Sequence, residues 1–334
     1  MKRQGVEIEQ LACWHNMQLA LWKAAKGKRQ RPDVLRFFAN VDQNLVKLQS
    51  QLLSGDLMWQ CYRSFRIRDP KPRKIVAVSF ELRVIHHAIM NVIGQNLERS
   101  QIENSFACLP RRGGHRAVKQ VQRGLRRLGW YVKIDIFHYF ENIDHQRLKD
   151  KLRRRFKGRR FLALLDTIID SYQERPGKGL PIGSLTSQYF ANFYLEQADR
   201  YIQQYPGIGG YVRYMDDMIW FAGSSQVIKK SLEDVVEFIE EEKLKVKAQR
   251  QMQPSRHGVQ YCGYRILPHS ILLSRRKKRL YKKHLKRWQT SWMAGEISSL
   301  KLQNCYDSIH GSTTIARAAG YRGIVLAKLG FIDV

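Results

Sequence analysis

The stretch Tyr211-Val-Arg-Tyr-Met-Asp-Asp-Met-Ile-Trp-Phe221 sets two adjacent carboxylates between two runs of aromatic and β-branched side chains. Such runs read as strands, so Tyr211 to Tyr214 and Met218 to Phe221 are expected to pair as a hairpin whose tight turn carries Asp216 and Asp217. An Asp pair alone also suits a solvated turn, where Asp is common. The setting is what distinguishes this one. The chain has 59 Lys and Arg against 29 Asp and Glu, a formal charge of +30. Acids placed side by side at a buried hairpin tip in so basic a chain are expected to hold divalent cations against phosphates.

The same charge excess calls for a polyanionic partner, nucleic acid ahead of an anionic membrane. A length of 334 residues suggests two or three subdomains. No run approaches the length of an apolar membrane span, and Met1-Lys-Arg-Gln-Gly lacks the apolar core of a signal peptide. A soluble, unsecreted, cytoplasmic protein is the expectation. Cys13, Cys61, Cys108, Cys262 and Cys305 are scattered with no zinc-ligand spacing, so free thiols are expected.

Residues 6–55 read as helical, with Leu11, Trp14, Leu19, Leu21 and Trp22 on an apolar face. The basic stretch Lys23 to Pro32 breaks the pattern. Asp33 could then cap a second helix carrying Leu35, Phe38, Leu45, Leu48 and Leu52. Tyr62, Phe65 and Ile67, the turn Arg68-Asp-Pro-Lys-Pro-Arg73 and Lys74-Ile-Val-Ala-Val78 read as a basic, proline-stiffened hairpin. Arginine forks suit phosphate oxygens, which would make this hairpin a lid over a triphosphate or simply a charged loop. Helical periodicity returns over 81–100, where His86 and His87 have no metal-spaced partners and read as packing residues.

A glycine and arginine loop at 105–115 and a helix at 117–128 precede the strand Tyr131-Val-Lys-Ile-Asp-Ile136. Asp135 lies where a core strand would be uncharged, and burying it unpaired would cost several kcal/mol, so a cation or strong donors are expected beside it. Asp144 reads as the cap of a basic helical region at 146–161. Gly179 to Gln188 is a small-residue loop opening a helix over 188–201, a setting that suits a nucleotide or template backbone. A helix is expected at 232–244 and a short strand pair or turn at 260–266. From Arg275 to Trp288 nine of fourteen residues are Lys or Arg, with Leu280, Leu285 and Trp288 as the apolar stripe of a basic helix.

Asp135, the pair Asp216 and Asp217, the intervening small-residue loop and the basic flanks together match a two-metal phosphoryl-transfer site. In their order these motifs resemble those of reverse transcriptases, with Tyr214-Met-Asp-Asp217 the most specific element and the likeness running from about residue 55 through 266. The resemblance implies an α+β right-hand polymerase fold with an antiparallel palm sheet packed on helices. It implies an N-terminal helical extension at 1–55, fingers at 56–130, a palm at 131–266 and a basic helical thumb at 267–334. Asp135, Asp216 and Asp217 would be the catalytic acids. With the backbone carbonyl of Ile136 they would hold two Mg²⁺, or Mn²⁺ in their place. Arg73 and Lys74, with Arg68 as a further candidate, would meet the incoming dNTP, and Phe140 would exclude a ribose 2′-hydroxyl. Tyr261-Cys262-Gly263-Tyr264 would be the primer grip, and Lys247 or Arg250 would protonate pyrophosphate.

Many members of the family carry Gln-Gly-x-x-x-Ser-Pro in the middle loop. This chain has Ile182-Gly183-Ser-Leu-Thr-Ser-Gln188. That departure, with Pro70-Lys-Pro-Arg73, resembles the enzymes of diversity-generating retroelements. Those enzymes copy a template-repeat RNA with errors opposite adenine and work with a small, basic, oligomeric accessory protein. Retron and group II intron-type enzymes share the acids, and a non-catalytic basic RNA-binding protein is the reading from a different class.

Overall fold

The computed structural model describes residues 3–58, 62–68 and 72–330. Cys61 and the Asp69-Pro70-Lys71 tip of the basic hairpin lie outside them. In chain order, β1 (Gln4–Gly5) leads to helices α1 (Ile8–Ala12), α2 (Trp14–Ala25), α3 (Pro32–Ala39) and α4 (Val41–Ser54). The hairpin β2 (Tyr62–Arg68) and β3 (Pro72–Val78) precedes α5 (Phe80–Ser100), α6 (Gly114–Arg127) and β4 (Trp130–Asp135). Then come α7 (Tyr139–Asn142), α8 (His145–Arg155), β5 (Phe156–Lys157), α9 (Arg159–Asp170), α10 (Leu185–Tyr194) and α11 (Glu196–Gln204). The second hairpin, β6 (Ile208–Tyr214) and β7 (Asp217–Ala222), is followed by α12 (Ser225–Glu241), β8 (Gln251–Pro254), β9 (Val259–Tyr261), β10 (Tyr264–Leu267) and β11 (Ser270–Leu273). Helices α13 (Arg275–Met293), α14 (Ser299–Gly311) and α15 (Ala319–Lys328) complete the described chain.

These elements pack as two units, each discontinuous in sequence. The first comprises 1–103, 135–201 and 234–248, and the second 104–134, 202–233 and 249–334. In the first, α5 is the central helix. Val84, Ile85, Ala88, Ile89 and Ile93 are fully buried, and Ser79 caps its start by accepting from the Leu82 amide at 3.2 Å. His86 is buried beside Thr186, its Nδ1 2.9 Å from the hydroxyl. Burial lowers its pKa to about 3, so the ring is neutral. A buried acid, Glu242, is paired to Arg147 at 2.8 Å and Lys151 at 2.9 Å.

In the second unit a four-stranded sheet has the order β6–β7–β4–β8. The pairs β6/β7 and β4/β8 are antiparallel. A separate antiparallel sheet joins β9, β10 and β11. Val118, Val121 and Leu125 of α6 join Tyr131, Ile219, Phe221, Tyr261 and Tyr264 in one apolar core. Helix and sheet approach so closely that a Cβ on Gly124 would sit 2.6 Å from the Phe221 ring. This is why glycine occupies a helix interior there, despite its cost of about 1 kcal/mol.

Several expected elements shift. Pro32 is the first residue of α3 and Arg31 the cap, because proline's missing N–H is tolerated only at the helix start, which moves Asp33 into the first turn. Trp14, Leu19, Trp22 and Leu35 are exposed, and Met17, Ala20, Leu21 and Ala24 take the buried face of α2. The basic region 146–161 divides into α8 and α9 around β5, and α10 and α11 replace a single helix at 188–201. The helix expected at 232–244 begins at Ser225. On α13, Tyr281 and Leu285 are buried, while Leu280 is only partly so. Asp144 caps α8 as expected, accepting from the Arg147 amide at 2.9 Å.

His86 generates a pH prediction. Its folded pKa lies below the unfolded value, so its contribution is complete above about pH 6.5 and is lost as pH falls from there toward 3. Between pH 7 and 5 the loss should be about 2 kcal/mol. His86→Gln should flatten this part of the stability-against-pH curve in denaturant titrations. An unchanged slope would show that another group governs acid sensitivity.

Candidate active site

The Asp hairpin is built by its register. Tyr214 pairs with Asp217, so Met215 and Asp216 alone form the turn. Met215 has φ of 60°, the left-handed conformation that two-residue hairpin turns use because it follows the strand twist. For a residue with a Cβ that conformation costs on the order of 1 kcal/mol, and the surroundings must impose it. Tyr211, Val212, Met218, Ile219, Trp220 and Phe221 are all buried, and Trp220 donates its indole N–H to Ser231 at 3.0 Å. Arg213 has no solvent exposure, and its Nη1 donates to the Met215 carbonyl at 3.1 Å. Its own amide and carbonyl bond Asn104 and Phe106, each at 2.9 Å.

A second hairpin braces the first. Tyr261 pairs with Tyr264, leaving Cys262 (φ 46°) and Gly263 (φ 80°) as a two-residue turn. The Tyr261 hydroxyl donates to the Asp217 carbonyl at 2.8 Å. Lys133 of β4 lies between the hairpins. Its Nζ is 3.3 Å from Asp217 Oδ1, donates to the Gln260 carbonyl at 3.1 Å, and stands 5.6 Å from the Tyr261 ring centroid. Side chains two apart on a strand share a face. Tyr131, Lys133 and Asp135 therefore line one face of β4, and the Tyr131 ring lies 6.3 Å from that of Phe221, which shares its face of β7 with Asp217. Burial, with the Asp217 charge adding, pushes the Cys262 thiol up to about 12, so it is not a thiolate at neutral pH.

A cavity of about 440 Å³ opens between the loop at 112–115, Tyr214, Cys262, Tyr264 and Lys277. Lys277 Nζ lies 3.7 Å from the Tyr264 ring centroid and donates to the Ser312 carbonyl at 3.0 Å. Burial lowers its pKa to about 8.

In the first unit, Asp135 is followed by a bridge between Ile136 and Val246. The Lys247 amide donates to the Asp135 carbonyl at 2.9 Å, and Lys247 Nζ hydrogen-bonds Asp135 Oδ1. The expected cation is thus present as an ammonium. The expected burial is not, because the Asp135 side chain is 37% exposed. A strand end open to solvent does not impose the desolvation that its apolar neighbours suggested. Phe140, half-buried in α7, stacks edge-on with Tyr139, and its carbonyl accepts from Leu180 at 2.8 Å.

The middle loop is stitched to the basic hairpin of the same unit. The Ile182 carbonyl accepts from the Val76 amide at 2.9 Å. At Gly183 (φ 124°) a Cβ would come within 3.0 Å of the Val76 carbonyl oxygen. Arg68, Arg73 and Lys74 are exposed, and Lys74 pairs with Glu174 at 3.4 Å. Gln188 is half-buried in the first turn of α10. Arg250 is exposed in the second unit, just before β8.

Two contributors were not singled out from the sequence. Lys133 carries a periodicity signal, a lysine two residues before Asp135 on the same strand face. Arg213 is a charge inside an otherwise apolar strand. Both are recognisable only once that pattern is read as pairing instead of solvation.

No group of three or more His, Cys, Asp and Glu side chains among the described residues stands ready to hold an ion. Mg²⁺ sites commonly use one or two carboxylates and complete their shell with waters and substrate phosphates. Asp135 in the first unit and Asp217 in the second are each partly exposed, and each attracts a cation in the form of a lysine ammonium.

Residues 67–266 match the reverse transcriptase (RNA-dependent DNA polymerase) family. The chain belongs to that family. Reverse transcriptases as a family use divalent metal ions, in keeping with these acids. Among relatives, Escherichia coli (strain K12) protein YkfC is 25% identical over 181 residues, 50% of this chain and 47% of that protein. The Lactococcus lactis group II intron-encoded protein LtrA is 25% identical over 172 residues, 49% of this chain and 29% of that protein. The chain thus spans about half the length of one relative and under a third of the other. A telomerase structure from Candida tropicalis, in complex with a TWJ fragment of telomeric RNA, covers 85% of this chain and 58% of its own, at TM-score 0.50 and 11% identity. That likeness bears on fold, and the fold is the α+β right-hand polymerase type expected.

Removing the Tyr261 hydroxyl tests the brace. Tyr261→Phe leaves the buried ring and deletes the bond to the Asp217 carbonyl, so it should cost about 1 kcal/mol in denaturant unfolding. A neutral result would show that water replaces the hydroxyl and that the two hairpins are not coupled through it.

Proposed function

We propose that the chain is an RNA-directed DNA polymerase. The observation that carries the reading is the Met215–Asp216 turn, held by the buried Arg213 and braced by Tyr261. Asp135, Asp216, Asp217 and the Ile136 carbonyl would hold two Mg²⁺, with Mn²⁺ as a substitute. When bound, such ions clamp the attacking 3′-hydroxyl and the leaving pyrophosphate. The protein's share is positioning and charge. Arg73, Lys74 and Arg68 on the exposed β2/β3 hairpin attract the triphosphate. Ile182, Gly183 and Gln188 face the incoming nucleotide, Phe140 excludes a 2′-hydroxyl, and Tyr261 to Tyr264 grip the primer. Lys247, hydrogen-bonded to Asp135, is favoured over the exposed Arg250 as proton donor to pyrophosphate. In polymerase terms residues 1–55 are an N-terminal extension, 56–130 fingers, 131–266 palm and 267–334 thumb.

The finer reading is an enzyme of a diversity-generating retroelement, acting in the cytoplasm of a bacterium or phage-infected cell. It would copy a template-repeat RNA with errors opposite adenine, together with a small, basic, oligomeric accessory protein. Its support is the loop Ile182 to Gln188. An apolar side chain there cannot hydrogen-bond the incoming sugar or base, so a correct pair gains less over a mispair. The retron or group II intron-type reading draws equal support, the likeness to the group II intron-encoded protein LtrA among it. A nearby pair of repeats differing at adenines would favour the first.

The decisive assay is RNA-templated dNTP incorporation with Mg²⁺, with the accessory protein supplied. Asp216→Ala and Asp217→Ala should each lower incorporation by at least about a hundredfold, about 2.7 kcal/mol or more of transition-state stabilisation. RNA binding should persist in both and weaken steeply with salt. Wild-type protein that binds RNA and never extends a primer would leave a binding protein instead. Separately, Ile182→Gln should reduce misincorporation opposite adenine, and an unchanged error spectrum would detach the loop from fidelity.

A further inference from the structure

Lys133 lies outside the set of acids and phosphate-binding residues, yet its ammonium contacts Asp217. Its ammonium is 3.3 Å from Asp217 Oδ1, an oxygen that would ligate a divalent ion under the reading above. Both side chains are about one-quarter exposed, but the contacting oxygen, Asp217 Oδ1, is itself closed to solvent. The lysine also has a second set of partners within reach. It donates to the Gln260 carbonyl at 3.1 Å and stands 5.6 Å from the Tyr261 ring centroid. Leaving Asp217 therefore does not strand the ammonium. The Asp217 backbone stays in place meanwhile, through the Tyr261 hydroxyl at 2.8 Å.

From this geometry we propose that Lys133 is a positioning residue that competes with divalent metal for Asp217. It neutralises and orients the carboxylate until an ion arrives, then releases it while keeping its contacts with Gln260 and Tyr261. The proposal rests on the polymerase reading, because it takes Asp217 to be a metal ligand. A lysine and a divalent ion cannot share one carboxylate oxygen without repulsion, so the ammonium lowers the affinity of the first ion. It also links metal occupancy to the β9/β10 hairpin, since the ammonium released by Asp217 is left on that hairpin's Gln260 and Tyr261 alone.

The test is Mn²⁺ binding to the full chain without nucleotide or nucleic acid, read by electron paramagnetic resonance of free Mn²⁺. Lys133→Met keeps the apolar stem and removes the charge, and should tighten Mn²⁺ binding about fivefold to tenfold. Lys133→Arg keeps the charge and should bind no tighter than wild type. Lys133→Gln repeats the neutral test with a polar side chain, and a thermal melt of each variant establishes folding. Unchanged or weaker Mn²⁺ binding in folded Lys133→Met or Lys133→Gln would overturn the proposal, because a purely structural lysine predicts that result. Asp217→Asn separates the two levels of inference. If wild-type Mn²⁺ binding ignores that change, Asp217 is not a metal ligand, and the reading on which the proposal rests falls with it.

Discussion

The carbonyl of Met215 accepts from a guanidinium with no solvent exposure, and that bond holds the turn that carries Asp216 and Asp217. Burying a charge is unfavourable by several kcal/mol unless its donors are satisfied, so Arg213 is an expensive means of holding two residues. The reason lies in the turn itself. Met215 occupies a left-handed conformation that a glycine would adopt more easily, and a shorter neutral side chain could not reach across to fix its carbonyl. Arg213 also ties the strand to Asn104 and Phe106 through its backbone. One residue thereby couples the acid-bearing turn to the loop leading into α6. A turn left free to relax would put Asp216 and Asp217 on a mobile tip, where a metal site loses its geometry.

Among the acids paired with basic side chains, two settings contrast. Glu242 is buried and satisfied by Arg147 and Lys151, with its hydrogen bonds to them lowering its pKa against the opposing effect of burial. That is an acid whose ionised state is consumed inside the fold. Asp135 and Asp217 also pair with lysines, but each keeps a substantial part of its side chain accessible. An accessible carboxylate with a replaceable cation can exchange partners, whereas one locked by two basic side chains at 3–4% exposure cannot do so without breaking the fold. Exposure, not the presence of a salt bridge, separates the two roles.

Local chemistry was the part of the fold most legible in the sequence. The Tyr211–Phe221 hairpin, the β2/β3 hairpin and the Asp144 cap each follow from residues adjacent in the chain. What depended on distant packing was not legible. Trp14 and Trp22 looked like core because they are large and apolar, yet small Ala20 and Ala24 hold the buried face, since α2 packs closely against α5. The break between α10 and α11 at Leu195 has no proline or glycine to announce it. In the site, the acids were recognisable by type and setting. Lys133 and Arg213 were not, because a lone basic residue in a chain of charge +30 carries little information until its partner is known.

The two turns of the second unit differ in backbone conformation, with both Cys262 and Gly263 at positive φ but only Met215 of the Met215–Asp216 pair. At Cys262–Gly263 the second position is glycine, and Cys262 alone bears the steric cost. At Met215–Asp216 the second position is not at positive φ and carries an aspartate without that cost, while the first has its carbonyl held by Arg213. The Cys262–Gly263 turn lies next to Tyr261, whose hydroxyl anchors the Asp217 backbone. Stability placed in the β9/β10 hairpin is thus transmitted to the Asp hairpin through the Tyr261 side chain. A rigid backbone carrying adjustable carboxylates is what metal-assisted phosphoryl transfer asks of a protein, since position must be fixed while ligands exchange between lysine, ion and substrate.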